Sequence, residues 1–126
     1  MTRNVENTEA LARDAWYDAL EDFTKIHQGD AVAIEVVERS FGDQVEAAER
    51  LPFAYIEYDY KDDVVVVGVG GQTARFPVVL RHMIRRPEQI FIYPPRPAPT
   101  ETVDVTDAEG TQTLVTLHAR PALRGD

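Results

Sequence analysis

The sequence predicts an α+β fold, with a curled antiparallel sheet of six to seven strands, an N-terminal amphipathic helix and one short internal helix. Apolar side chains recur at helical spacing over residues 9–27, and residues 53–71 have the pattern of one long β-hairpin. Short connections link the successive strand-like segments between residues 31 and 71, whereas parallel neighbours would need longer crossovers. A small helix-capped barrel of Sm-like type is the alternative architecture.

The N-terminal helix is predicted over Glu9–His27. Thr8 is a suitable N-cap, because its hydroxyl accepts a hydrogen bond from an unpaired amide of the first turn. Gly29 suits the C′ position, where the left-handed conformation carries no Cβ penalty. The apolar stripe, which predicts packing on a sheet, consists of Ala12, Trp16, Ala19, Leu20, Phe23 and Ile26.

The strands of the first half are predicted from alternating apolar and polar side chains. Ala31–Glu38 has one strongly apolar face, and Gln44–Arg50, after a turn at residues 41–43, has the Glu- and Ala-rich composition of an edge strand. In the Phe53–Gly71 hairpin, the second arm contains the β-branched run Val64–Val67. The turn between the arms is acidic.

The second half is predicted to hold one helix and three strands. Val78–Arg85 is interpreted as the short internal helix, because its apolar residues recur at i, i+4 spacing after Pro77. A short strand, Gln89–Tyr93, is followed by an extended proline connector, Pro94–Pro99. A final hairpin has the arms Glu101–Thr106 and Thr111–His118. The whole chain, 1–126, is predicted to be a single domain with an ordered core at 8–118 and flexible termini at 1–7 and 119–126.

Composition excludes several classes of protein. The chain has no cysteine, so it has no disulfide and no thiolate zinc site. Its net charge of −9 argues against nucleic acid as a partner, because phosphate neutralisation needs clustered Lys and Arg. No window has the roughly 18 apolar residues that a membrane span needs, and residues 1–20 lack a secretory h-region. We therefore expect a cytoplasmic protein without a cofactor.

One basic segment stands out in this acidic chain, between residues 75 and 86. Arg81, His82, Arg85 and Arg86 are its candidate binding residues. Arginine forks bind carboxylates and phosphates in a bidentate manner, which predicts a site for an acidic protein partner or a small anion. The opposing interpretation is that these arginines pair with the surplus carboxylates of the same chain.

Asp59, Asp62 and Asp63 are the only candidates for a metal site. They lack the spacing of a calcium-binding EF-hand loop, and turn chemistry explains all three acids without a metal. His27, His82 and His118 have no zinc-binding spacing in the sequence.

Three stretches resemble a family of short, uncharacterised bacterial proteins classed as a domain of unknown function. The matching stretches read YDYKDD at 58–63, LRHMIRRPEQI at 80–90 and VTDAEG at 105–110. The family has YDPKDD, LxHLIxxPxxI and VxDxxG there, so Tyr60 departs from it by replacing a proline. The resemblance implies no activity and no catalytic residue, but it directs attention to His82 and Asp59.

These observations favour a non-enzymatic binding or regulatory module that uses the 75–86 segment. A small hydrolase or ligand-processing enzyme built around His82 and an acid such as Asp59 is the alternative. A homodimer formed through an exposed edge strand is a third hypothesis.

Overall fold

The computed structural model describes residues 10–38, 44–73, 76–94 and 98–119. A 3₁₀ turn at Arg13–Ala15 leads into the helix α1, Trp16–His27. The strands are β1 Ala31–Val37, β2 Gln44–Asp59, β3 Val64–Thr73, β4 Phe76–Arg85, β5 Pro87–Tyr93, β6 Thr100–Asp107 and β7 Gln112–His118.

All seven strands form one antiparallel sheet in the order β4-β3-β2-β1-β7-β6-β5. The α+β fold with a curled antiparallel sheet is confirmed. The sheet is not closed, because β4 and β5 each have one strand neighbour, so the barrel alternative is wrong.

The long strand β2 joins the two halves of the sheet. Its first part, to Pro52, pairs with β1, and its second part, from Phe53, pairs with β3. Beyond Pro52, β2 no longer pairs with β1, and helix α1 lies beside this second part of β2 instead. There the Thr24 hydroxyl accepts from the Ile56 amide and donates to the Ile56 carbonyl, both at 2.9 Å. Helix side chains thus satisfy backbone groups that a strand would otherwise bind.

The core lies between α1 and the inner face of the curled sheet. Trp16, Leu20 and Phe23 are the buried apolar residues of the helix, and they pack in one cluster with apolar residues of all seven strands. Trp16 meets Tyr58 edge-to-face, with ring centroids 5.1 Å apart. The sheet contributes Val32, Ile34, Phe53, Ile56, Tyr58, Val65, Val67, Val69, Ile84, Ile90, Val103, Val105, Val115 and Leu117, with Leu80 and Ile92 packed against them.

The predicted internal helix at 78–85 is wrong, because this segment belongs to strand β4. Its residues satisfy a helical spacing and a two-residue alternation equally well. The neighbouring strand decides between them: Val64–Gly70 of β3 is buried throughout, so its backbone needs a strand partner on each side. Pro77 is compatible with β4, because β4 is an edge strand.

The helix prediction also needs correction at two points. The α-helix begins at Trp16 rather than Glu9, since Ala12 is extended and residues 13–15 form the 3₁₀ turn. The apolar stripe is shifted, because Ile26 is 53% exposed while His27 is 2% exposed. Gly29 does have a positive φ, 93°, as its predicted position requires.

The other strand predictions hold, with one change: residues 44–50 and the first arm of the hairpin form a single strand, β2. Thr8, the turn at 41–43, residues 95–97 of the proline connector and the predicted flexible segments 1–7 and 120–126 lie outside the described residues. Within the described part of the chain, no helix has the length and apolar character needed to cross a membrane.

Candidate functional site

The candidate binding residues lie along β4 and at its end. Leu80 and Ile84 pack against the core, so strand alternation directs His82 to the same inner face. Arg81, Met83 and Arg85 then face outward, and all three are exposed. The sequence-predicted helix would have gathered the basic residues on one surface, whereas the strand divides them between two faces.

On the outer face, Arg81 is held by Tyr55. The Arg81 Nε atom donates to the Tyr55 hydroxyl at 3.0 Å, across Gly68 of the intervening strand. Gly68 makes this contact possible: a Cβ atom there would lie 2.3 Å from Cε2 of the Tyr55 ring. The terminal nitrogens of Arg81 therefore extend from an anchored side chain.

Arg85 and Arg86 differ in their partners. Arg86 is at the corner between β4 and β5, with φ 52°, and its amide donates to the Asp63 carbonyl at 2.9 Å. The Arg86 guanidinium pairs with Glu109 at 3.0 Å, with both side chains exposed. Within the described residues, neither Arg81 nor Arg85 forms an ion pair with a carboxylate.

The inner side of β4 borders an open cavity of about 390 Å³. Burial lowers the pKa of His82, so this ring is neutral near pH 7. The cavity is lined by the acidic residues Glu38, Asp107 and Glu109 and by the basic residues Arg85 and Arg86; its other lining residues include Val36, Met83, Thr111 and Thr113. Arg86 is paired with Glu109, and the acidic lining residues outnumber the basic ones by three to two, so the lining has no net positive charge to hold an anion.

The structure separates His82 from Asp59, the pair on which the hydrolase hypothesis depends. Asp59 is on the outer face, in register with Val64 and Arg85, and it lines a different cavity from His82. The Asp59 Oδ1 atom accepts from the amides of Lys61 and Asp62 at 3.0 and 3.3 Å. This geometry gives His82 no acid partner at Asp59.

The acidic turn between β2 and β3 has a structural role. Asp63, at φ 54°, accepts from the Tyr58 hydroxyl at 2.8 Å and lies 3.7 Å from the Arg13 guanidinium. In the described ranges, no three His, Cys, Asp or Glu side chains are grouped so that they could hold a metal ion.

The sequence did not reveal a cluster of three ionisable residues, of which two are buried and the third, Asp30, is partly exposed. The His27 ring lies between two carboxylates: Nδ1 is 2.7 Å from Oδ2 of Asp30, and Nε2 is 3.0 Å from Oε1 of Glu101. His27 and Glu101 are 2% and 4% exposed. Glu101 Oε2 also accepts from the Ala98 amide at 2.7 Å, so the cluster ties the end of α1 to the start of β6.

His27 and Glu101 are buried and the Asp30 side chain is only 20% exposed, so the cluster is a structural tie and not an open ligand site. Each ring nitrogen lies within hydrogen-bond distance of a carboxylate oxygen, so the ring bridges Asp30 and Glu101. Only the His27–Asp30 spacing was visible in the sequence. Glu101 is 74 residues away from His27, and no local pattern links them.

A second buried carboxyl, that of Asp104, is on the outer face of β6. It is 7% exposed, between Phe91 and Leu114 in the strand register, and Nε2 of Gln112 donates to both of its oxygens at 3.3 and 3.2 Å. Burial raises the pKa of Asp104, and the Gln112 hydrogen bonds oppose this only in part.

We expect Asp104→Asn to raise the free energy of unfolding near pH 7 by about 1 kcal/mol. An acid whose pKa is higher in the folded state disfavours folding when ionised, and this cost disappears as pH falls through the raised pKa. The gain should therefore shrink between about pH 7 and pH 4. Urea unfolding of both proteins at several pH values checks this, and a difference that is constant with pH would contradict it.

Comparison with known proteins gives a relationship but no activity. The model of a family of unknown function, DUF5335, matches residues 7–125. An uncharacterized protein of Aquifex aeolicus (strain VF5) is 30% identical over 116 residues, which are 92% of this chain and 95% of the relative. No solved structure matches the chain significantly.

Proposed function

We propose a function from the geometry, because the chain belongs to the DUF5335 family, whose function is unknown. The protein is a binding module that engages an acidic polypeptide through Arg81 and Arg85 of β4. The observation that carries the proposal is that both exposed guanidinium groups lack a carboxylate partner within the described residues.

The charge distribution supports this proposal. Residues 64–100 carry a net charge of +4 in a chain whose net charge is −9. The opposing interpretation, in which the arginines are neutralised by the same chain, applies to Arg86 and its partner Glu109. It does not describe Arg81, whose contact is the neutral Tyr55 hydroxyl.

The separation of the two arginines favours a polypeptide over a small anion. Arg81 and Arg85 are four residues apart on one strand, which places their Cα atoms about 13 Å apart. A single phosphate does not span this distance, whereas an extended chain with several carboxylates does. The cavity on the inner side is a poorer anion site, because three acidic residues line it against two basic ones, Arg85 and Arg86, and Arg86 is paired with Glu109.

The test is binding of fluorescein-labelled poly-L-glutamate at low ionic strength, measured by anisotropy. We expect Arg81→Glu/Arg85→Glu to weaken binding at least about tenfold, because both exposed charge-assisted contacts become repulsive. The matched control is Lys25→Glu/Lys61→Glu, which makes the same change in net charge at exposed positions on α1 and in the β2–β3 turn, outside β4. The control should bind within about twofold of the parent protein, since its effect is only long-range and screened.

Equal weakening in both double variants would show that only net charge matters, and the proposal would fail. Complete competition by inorganic phosphate, at an ionic strength at which sodium chloride leaves binding unchanged, would instead indicate a small-anion site. Circular dichroism of each variant confirms that the fold is retained.

A further inference from the structure

The edge of β4 has backbone groups that face away from the sheet. The two hydrogen bonds between Thr24 and Ile56 show that the polar backbone groups of Ile56 face α1 and not β3. Ile56 is in register with Val67, and Val67 with His82. In an antiparallel pair, the backbone groups of two opposite residues either face each other or both face away. Those of Val67 therefore face away from Ile56 and toward β4, and those of His82, opposite Val67, face β3. Because successive residues of a strand direct their backbone groups to opposite sides, those of Arg81, Met83 and Arg85 point outward, and these three residues are called the β4 edge.

The other end of the sheet is protected. The Leu11 amide donates to the Ile90 carbonyl of β5 at 2.8 Å, and Arg13 Nη2 donates to the Pro87 carbonyl at 3.2 Å. Among the described residues, no such hydrogen bond reaches the β4 edge. An uncovered edge with unpaired amides and carbonyls is a template for an additional strand.

We infer that the β4 edge receives an extended segment of a partner protein as an eighth strand, with acidic side chains at alternate positions. This inference rests on the proposed function and names the form of its partner. Side chains of an added strand alternate between the two faces of the sheet. Those on the outer face lie beside Arg81 and Arg85, and those on the inner face enter the cavity beside His82.

The cavity sets the character of the intervening residues. Its acidic residues Glu38, Asp107 and Glu109 outnumber its basic residues Arg85 and Arg86, so the lining does not attract an acidic side chain, and its remaining wall includes Val36 and Thr113. Small neutral or apolar side chains fit these positions. The recognised pattern is thus an acid at every second residue, separated by residues such as Val or Thr.

A second copy of this chain is a poorer occupant. Antiparallel pairing of two β4 edges about Met83 would place Arg81 of each copy directly opposite Arg85 of the other. Like charges directly opposite in neighbouring strands are destabilising. The charge of the β4 edge therefore favours a different, acidic polypeptide over self-association.

The test uses a synthetic nine-residue peptide with Glu alternating with Val and Thr, and two N-methylated forms of it. One form is methylated at the Glu residues and the other at the intervening residues. In an added strand only one of these sets directs its amides toward β4, so N-methylation of that set should weaken binding at least about tenfold while the other form binds within about twofold. Amide exchange gives a second readout: the amides of Arg81, Met83 and Arg85 should become protected when the peptide binds, whereas those of His82 and Ile84 are protected in the free protein.

The outcomes separate this inference from the proposed function. Equal binding of both methylated forms, with loss of binding in Arg81→Glu/Arg85→Glu, would overturn strand addition and leave the charge-based proposal standing. Failure of the unmethylated peptide to bind the parent protein would overturn strand addition. Failure of poly-L-glutamate as well would overturn both.

Discussion

Replacing His27 by alanine is expected to lower the free energy of unfolding by about 3–5 kcal/mol, the cost of removing one partner from a largely buried cluster of ionisable side chains. In the parent protein, both ring nitrogens of His27 contact carboxylate oxygens, at 2.7 and 3.0 Å. The substitution leaves Asp30 and Glu101 facing an empty space without their shared donor. Glu101 is 4% exposed, so water does not replace the ring without rearrangement. For a domain of this size, the loss is a large fraction of the total stability.

Urea unfolding followed by the fluorescence of Trp16, the only tryptophan, measures this loss. His118→Ala is the matched control, because His118 is exposed and its nearest polar contact is a 3.5 Å approach to Thr100; we expect a change below about 0.5 kcal/mol. Adding Glu101→Gln to His27→Ala should recover part of the loss, because an amide removes the unpaired buried charge. A loss below about 1 kcal/mol in His27→Ala, or strictly additive effects in the double variant, would contradict the role assigned to the cluster.

The parts of the fold that the sequence predicted are those with a strong local signal. Strand β1, the β2–β3 hairpin and the β6–β7 hairpin have two-residue alternation bounded by turn residues, and the structure has them at nearly the predicted positions. The Asp59 turn was likewise predictable, because its carboxylate binds amides two and three residues ahead.

The errors occur where a distant contact decides the local structure. Residues 78–85 satisfy two periodicities, and the need of β3 for a second strand neighbour selects one of them. Likewise, the predicted apolar stripe of the helix included Ile26, whereas in the structure His27 is the buried residue, in contact with Glu101 of β6. The candidate basic residues were identified from charge, but their division between two faces depends on strand geometry. Which guanidinium groups lack an ion-pair partner was also beyond the sequence.

Trp16→Ala is expected to lower the free energy of unfolding by about 3–5 kcal/mol, through lost burial and the cavity that remains. Trp16 is 1% exposed and has three kinds of contact. It packs edge-to-face on Tyr58, Arg13 lies 4.3 Å above its ring, and its Nε1 donates to the Leu11 carbonyl at 3.3 Å. The last two contacts hold residues 11–13, which cover β5, so these residues should be released from the sheet in the variant. Amide exchange at Leu11, which binds the Ile90 carbonyl, reports this release directly.

Unfolding of Trp16→Ala must be followed by circular dichroism, because the variant has no tryptophan. Tyr17→Ala is the control on the same helix: Tyr17 is 47% exposed, and its ring contact is with the exposed Tyr60, so the loss should stay below about 1 kcal/mol. Trp16→Phe keeps the edge-to-face contact but loses the indole donor, so it separates packing from anchoring. We expect Trp16→Phe to retain more than half of the stability that alanine loses, yet to speed exchange at Leu11. If Leu11 instead remained protected in both variants, the N-terminal segment would be held on β5 without Trp16, and its role as the anchor would be wrong.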